Sequence, residues 1–224
     1  MLLKPIHWKR FPVDFLKIQA GFALFGLAIA LMIRANLGTS AWAVLEVALS
    51  QIFHLTPGTV TVLMGFLVLS GALILREPIG WGTLGNILSI GPWEDLALSQ
   101  IPAVKDNLPL QIAILLGAIA LMGLASAIYI GVDAGAGPRD SLMLAIKRKT
   151  GISLRLARGG IEVTVVCLGW LLGGPAGAGT VVYALLVGPA VQAGFRLFKV
   201  EPHRQVESTA EAEPEVTAGQ ASEQ

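Results

Sequence analysis

Long apolar runs separated by short polar or glycine-rich stretches form the main pattern of this chain. Six of these runs are predicted to be membrane-spanning helices, over residues 15–33, 59–75, 82–98, 110–130, 156–172 and 180–198. Each run approaches the ~20 apolar residues that a helix needs to cross the hydrocarbon core of a bilayer. Because the runs lack the period-two alternation of barrel strands, the pattern predicts an all-α membrane protein.

Two further helices are predicted to be too short to cross the bilayer, and each follows a glycine bend. The first follows Gly38-Thr39-Ser40-Ala41-Trp42 and covers residues 40–55. The second follows Gly135-Ala136-Gly137-Pro138-Arg139-Asp140 and ends in Lys147-Arg148-Lys149. Three consecutive cations cannot lie in the hydrocarbon core without a large cost, so this segment is expected to dip into the membrane as a half-helix.

The two halves of the chain match at a constant offset of 97 residues. Glycine and proline pairs follow this offset, among them Gly38 with Gly135, Pro78 with Pro175, Gly82 with Gly179 and Gly91 with Gly188. We therefore predict two tandem repeats, each with three spanning helices and one half-helix. The predicted organisation is a cytoplasmic segment 1–14, repeat one at 15–98, a linker at 99–109, repeat two at 110–200 and a disordered cytoplasmic tail at 201–224.

The charges of equivalent loops favour an inverted arrangement of the repeats. The basic N-terminal segment corresponds to residues 101–114, where Lys105 is the one basic residue. Lys147-Arg148-Lys149 corresponds to a stretch without basic residues in the first half. Equivalent loops of opposite basic content are expected on opposite sides of the membrane, with both termini cytoplasmic. The alternative is a four-plus-four parallel arrangement in which the short helices also span.

Composition agrees with a membrane protein and excludes other classes. The sequence is 54% hydrophobic and 14% charged, with a mean hydropathy of +0.70. A net charge of +1 does not indicate a nucleic-acid partner, and the lone Cys167 cannot form an internal disulfide. No metal-binding cluster, phosphate-binding loop or nucleophile–base pair stands out, so we expect neither an enzyme nor a bound cofactor.

Arg139 and Asp140 are the strongest candidates for contact with a substrate. The arginine side chain offers a planar fork suited to carboxylate or phosphate, and the start of the following helix adds amide donors. In the other interpretation, Asp140 caps the short helix and pairs with Arg139 near the headgroups. Glu162 could carry a proton, or it could form an i,i+4 pair with Arg158.

Further candidates come from the bends and from lone polar residues inside the apolar runs. Glu46 and Asn86 either line a cavity or form a single interhelical hydrogen bond. The Gly-Pro pairs at 91–92 and 188–189 indicate either a broken helix at a site or a structural kink. Trp42 is predicted to be an interface anchor. The remaining candidate binding residues are Gly38, Ser40, Gly135, Gly137, Thr83 and Thr180.

The bend with Pro-Arg-Asp, the Gly-x-Gly-Thr before the last span of each half and the Gly-Pro within that span resemble the YczE/YyaS/YitT family of bacterial integral membrane proteins. The resemblance covers roughly residues 10–200. It implies a multi-pass protein of the bacterial inner membrane, in contact with the lipid bilayer. In the first half, Ser40-Ala41-Trp42 stands where the second has Gly137-Pro138-Arg139, so Arg139 and Asp140 are expected to act without symmetry mates.

Two functions remain in view from the sequence. The first is a permease or secondary transporter of a small solute or ion, with its site at the repeat interface near the glycine bends. The second is a non-transporting scaffold that stabilises membrane protein partners, in which the polar residues serve only packing. Either function is compatible with a homo-oligomer.

Overall fold

The computed structural model describes residues 10–76, 80–132, 134–135 and 137–200. That part of the chain contains eight α-helices and no strand. The helices are α1 (Phe11–Ala35), α2 (Ala41–Phe53), α3 (Pro57–Ile74), α4 (Trp81–Gln100), α5 (Leu108–Ile130), α6 (Pro138–Thr150), α7 (Leu154–Leu171) and α8 (Ala178–Phe198). The predicted tail at 201–224, most of the predicted segment 1–14, and Pro78 lie outside the described residues.

Polar side chains and prolines define where several helices begin. Thr56, Asn107 and Ser153 each accept a hydrogen bond from the backbone N–H three residues later, at the starts of α3, α5 and α7. These bonds satisfy amides that have no partner inside the helix. Proline stands at the first position of α3 and α6, where its missing N–H costs nothing.

Four helices are long and apolar enough to cross a membrane: α1, α3, α5 and α8. The other two predicted spans are helical as well, with 20 residues in α4 and 18 in α7. They are less apolar, because α4 carries Glu94 and Asp95 while α7 carries Arg155, Arg158 and Glu162. The two predicted half-helices are α2 and α6, each of 13 residues.

The centre of the fold is the contact between α1 and α5, which pack along each other. Phe22, Ile29 and Met32 of α1 and Ile119 and Met122 of α5 form its buried core. Helix α4 packs against the outer side of α1, and α8 packs against α5.

The remaining helices form a second layer that is not evenly packed. Helix α2 lies against α3 and α7, and α6 lies against α3 and α7. Helix α3 also packs along α4, whereas α7 makes almost no contact with α8. As a result, the second layer is closed against the first layer at α3 and α4, and it is separated from the first layer at α7 and α8.

Each of the two glycine bends is hydrogen-bonded to the start of a helix from the other half of the chain. The N–H of Gly179 donates to the Leu37 carbonyl at 2.7 Å, and the N–H of Gly82 donates to the Ala134 carbonyl at 2.9 Å. Gly38 and Gly135 next to these carbonyls have φ of +109° and +122°, a conformation that side chains other than glycine rarely adopt. The bends are therefore fixed by backbone contacts between the halves.

The Gly-Pro pairs do not break their helices. Both α4 and α8 continue through the internal Pro92 and Pro189. The interpretation of these pairs as breaks in a helix is therefore wrong.

Candidate functional site

A cavity of about 150 Å³ lies between the two layers of helices. All eight helices contribute side chains to its wall. Its apolar part includes Phe25, Ile87, Ile90, Met122 and Val187. Its polar part consists of Thr61, Asn86, Ser126, Tyr129, Arg139, Asp140, Arg158, Glu162 and Tyr183. Such a concentration of charged groups inside an apolar bundle is the usual mark of a functional site in a membrane protein.

Arg139 is held at the cavity by two neighbours from α2. Its guanidinium donates to the Glu46 carboxylate and lies 4.7 Å from the centre of the Trp42 ring. The Glu46 side chain is 1% exposed, whereas that of Arg139 is 24% exposed. The carboxylate therefore lies behind the arginine and orients it, and the rest of the guanidinium faces the cavity.

A second ion pair forms the wall on the side of α7. Arg158 donates to Glu162 at 2.8 Å, in the i,i+4 geometry that their spacing predicts. The Arg158 side chain is about half exposed, so this pair is more open than the pair of Arg139 with Glu46. The Asp140 carboxylate lines the same cavity, where the charges of Arg158 and Arg139 attract it.

A fourth acidic group, Glu94, lies directly behind the wall. Glu94 of α4 is fully buried, and one of its oxygens accepts a hydrogen bond from the Thr61 hydroxyl at 3.0 Å. Thr61 itself lines the cavity. The sequence analysis missed Glu94, although a glutamate within an apolar run was a signal that could have found it.

The predicted binding residues fall into three groups. Asn86, Arg139, Asp140 and Glu162 line the cavity, and Glu46 supports it from behind. Gly137 lies next to Asp140 and Asn86. Gly38, Ser40, Gly135, Thr83 and Thr180 belong to the bends and helix starts, outside the cavity wall.

The bend residues stabilise the backbone that positions the site. The Thr83 hydroxyl accepts from the Gly80 N–H and the Thr180 hydroxyl from the Gly177 N–H, both at 3.3 Å. These bonds satisfy the backbone at the starts of α4 and α8. A Cβ on Gly135 would lie 2.8 Å from the Gly80 Cα, which leaves no room for a side chain at the bend.

The structure corrects two interpretations of single residues. Trp42 is not an interface anchor, because it is buried, lines the cavity and stacks with Arg139. The position of Trp42 as the second residue of α2 does not reveal from sequence alone which way its ring points. Arg139 is also not paired with Asp140 near the headgroups, because Glu46 supplies its carboxylate.

The wall of the site carries ion-pairing and hydrogen-bonding groups. Among the described residues, no group of three or more His, Cys, Asp or Glu side chains is placed to hold a metal ion. The guanidinium of Arg139 suits carboxylate or phosphate groups, while Asp140 suits an ammonium group or a cation.

These features define a helical membrane protein with an internal charged cavity. The sequence from residue 14 to residue 195 matches a family described as a family of unknown function, DUF6198, and the chain belongs to this family.

Similar curated proteins agree with this assignment. The chain is 34% identical over 171 residues to the uncharacterized membrane protein YczE of Bacillus subtilis, covering 75% of this chain and 79% of that one. It is 30% identical over 172 residues to the uncharacterized protein YyaS of the same organism, covering 75% and 85%. An uncharacterized protein of Haemophilus influenzae is 31% identical over 181 residues, covering 81% and 83%. The resemblance to YczE and YyaS is thus confirmed, and no solved structure matches the chain.

Proposed function

We propose that this protein is a secondary transporter or permease for a small charged solute, which binds in the central cavity. The observation that carries the proposal is the cavity wall, where Arg139, Asp140, Arg158 and Glu162 surround a space enclosed by apolar helices. Burying charged groups inside a membrane is costly, so they are rare there and usually mark a substrate or ion pathway. A protein that needed only packing would be more stable with apolar residues at these positions.

The charges of the wall favour a solute that carries both signs. Arg139 presents guanidinium donors to the cavity, and Asp140 and Glu162 present carboxylates. The apolar wall formed by Phe25, Ile87 and Met122 suits a small hydrocarbon portion. A small zwitterion such as an amino acid matches this combination better than an inorganic anion, which would be repelled by the two carboxylates.

The helix bounds support an origin in two repeats. The half-helices α2 and α6 begin at Ala41 and Pro138, which are 97 positions apart, and both have 13 residues. Helices α3 and α7 likewise begin 97 positions apart and both have 18 residues. The hydrogen bonds of Gly179 to Leu37 and of Gly82 to Ala134 are related by the same offset. In this proposal α4 and α7 also cross the membrane, and the repeats are inverted.

The uneven packing of the second layer supports a transport cycle. In transporters built from inverted repeats, one repeat adopts the closed arrangement while the other is open, and exchange of the two moves the opening to the other side of the membrane. Helix α3 is packed along α4, whereas the equivalent α7 stands apart from α8. The described arrangement then corresponds to one of two accessible states.

Glycines at the two contacts agree with such an exchange. A Cβ on Gly58 would lie 2.0 Å from the Gly91 carbonyl oxygen, so α3 and α4 touch through their backbones. In α7 and α8, Gly159, Gly160 and Gly188 have no atom within 4 Å of such a Cβ. Gly188 is the equivalent of Gly91 at the offset of 97. These glycines would let α7 approach α8 closely in the other state.

Arg139→Lys tests the solute site. Lysine keeps the charge but loses the planar fork and its stacking on Trp42. We expect the purified variant to insert and melt like the parent, yet to bind solute at least about tenfold more weakly. The measurement is a thermal-shift screen with amino acids and small carboxylates, followed by uptake of the best compound into proteoliposomes. Arg196→Lys, at an exposed position of α8, is the matched control.

If the protein is instead a scaffold, the opposite result is expected in the thermal-shift screen. A scaffold would show no stabilisation by any small solute, and it would copurify with a membrane protein held at constant stoichiometry. If Arg139→Lys retained full uptake, the transporter could stand but this site would be wrong. If no compound stabilised or was taken up by the parent protein, and a partner copurified, the scaffold would replace the transporter.

A further inference from the structure

Two buried carboxylates, Glu46 and Glu94, lie behind the cavity wall; Arg139 bonds to Glu46 and attracts Glu94 only through their opposite charges. Glu94 is completely buried and Glu46 is 1% exposed. One oxygen of Glu46 binds Arg139, and one oxygen of Glu94 accepts from Thr61. The second oxygen of each carboxylate is buried and has no hydrogen-bond partner. A buried charge without a partner is strongly disfavoured, so this arrangement needs one more positive species.

Among the described residues, the helices next to Glu94 supply no free positive charge to it. From α3 comes the Thr61 hydroxyl, and from α6 comes Arg139, which is already engaged by Glu46. On its own helix the next residue is another acid, Asp95, which accepts from the Gly58 N–H at 2.8 Å.

Helix α1 contributes no compensating charge at this level either. It places Gly26 so close that a Cβ there would lie 2.7 Å from the Glu94 backbone nitrogen. The arginine of α1 that reaches α4, Arg34, donates to the Leu98 carbonyl, one turn further along. Around Glu94 the described residues therefore provide two additional acids and one occupied arginine.

We propose that Glu94 is a proton-binding site that exchanges with the cavity through Thr61 and is linked to solute binding at Arg139. A proton fits better than a metal cation, because a metal cation needs several oxygen ligands and no group of three or more His, Cys, Asp or Glu side chains is placed to hold one among the described residues. Proton uptake converts the Glu94 carboxylate into a neutral carboxylic acid, whose O–H can donate from the oxygen that has no partner.

The link to the solute follows from competition for Arg139 and rests on the proposed transport function. An anionic group of the solute that binds Arg139 weakens the bond of Arg139 to Glu46 and offsets its electrostatic attraction for Glu94. Their mutual repulsion then favours the protonated form of Glu94. By linkage, protonation of Glu94 must strengthen solute binding by the same factor that the solute strengthens protonation. The solute and the proton would thus bind together, as coupled transport requires.

Infrared difference spectroscopy of the full chain in lipid vesicles tests the proton site directly, without a known solute. Stepping the pH should produce a reversible carboxylic-acid C=O band in the parent protein. One component of the band should be absent in Glu94→Gln and retained in Asp106→Asn, a control at an exposed position of the connection between α4 and α5. Glu94→Asp should keep a band at a shifted frequency. Thr61→Val should move the band to higher frequency, because the hydrogen bond to the carboxyl group is lost.

The possible outcomes separate the two proposals. Persistence of the whole band in Glu94→Gln would overturn the proton site. If Glu94→Gln does not fold, an unaltered band in both Glu94→Asp and Thr61→Val would overturn it as well. Stabilisation of the parent by Na⁺ over K⁺ at constant pH, abolished in Glu94→Gln, would replace the proton with a metal cation. A solute-dependent shift without any titrating band would leave the transporter standing and remove its coupling to protons.

Discussion

Arg139 belongs to the more deeply buried of two ion pairs, and the two pairs differ in what they contribute. Glu46 is enclosed by protein, so its pairing with Arg139 is not weakened by water. Arg158 is half exposed, and an exposed i,i+4 pair contributes little to stability. The same chemical contact therefore has different consequences at the two places.

Neutralising each glutamate in turn should expose this difference. Glu46→Gln removes the buried counter-ion of the partly buried Arg139, and we expect a loss of about 2–3 kcal/mol in the free energy of unfolding. Glu162→Gln should cost less than about 1 kcal/mol. Thermal or denaturant unfolding of both variants in the same detergent measures the difference. Equal losses in the two variants would contradict the different burial of the pairs.

Only part of the site is encoded in short-range sequence signals. The i,i+4 spacing of Arg158 and Glu162 is enough to predict their pair, because one helix fixes both side chains. The pairing of Arg139 with Glu46 joins residues 93 positions apart, and nothing in either local pattern specifies it. Glu94 was missed for a related reason, since its importance depends on what surrounds it from α2, α3 and α6.

At the level of helices, the clearest feature is the contrast between the α3–α4 contact and the α7–α8 gap. The α3–α4 contact is made by backbone against backbone at Gly58 and Gly91. Its equivalent in the second half has arginine, Arg155, in place of Gly58, while Gly188 corresponds to Gly91. The second pair of helices would therefore close with a different geometry from the first.

Alanine at Gly91 and at Gly188 forms a matched test of this contrast. A Cβ on Gly91 would lie 2.2 Å from the Gly58 carbonyl oxygen, so Gly91→Ala should lower stability by about 1–3 kcal/mol. A Cβ on Gly188 meets open space, so Gly188→Ala should leave the melting temperature unchanged or slightly higher. Melting curves of the two purified variants measure this difference in stability. Similar losses of stability in both variants would mean that α7 and α8 are packed together in the membrane.

Helix bounds were largely readable from the sequence, because apolar runs end at prolines, glycines and capping residues. The predicted short helix at 40–55 corresponds to α2 (Ala41–Phe53), and the predicted span at 110–130 corresponds to α5 (Leu108–Ile130). Packing between helices was not readable, because Leu, Ala and Val runs fit many arrangements equally well. The separation of α7 from α8 therefore had no counterpart in the prediction.

For the whole molecule, the proposed inverted arrangement predicts that the connection between α4 and α5 lies outside the cell. Ala103 is exposed in this connection, and unlike Asn107 it does not cap a helix. In a Cys167→Ala background, Ala103→Cys should react with an impermeant thiol reagent in intact cells. Lys149→Cys, at the basic end of α6, should react only after the membrane is disrupted. The reverse labelling pattern, or access to both from one side, would contradict the inverted repeats.

The exchanged backbone bonds at the glycine bends have a consequence for how the chain can be divided. The bend at Gly38 is held by the start of α8, and the bend at Gly135 is held by the start of α4, so neither half completes its own bend. A polypeptide of residues 1–103 alone should lack a stable α2, and one of residues 104–224 alone should lack a stable α6. When the two fragments are coexpressed, they should associate and both α2 and α6 should fold. The contacts at the bends are hydrogen bonds, so they can form between separate chains. Each half would then need the other half in order to fold its own short helix.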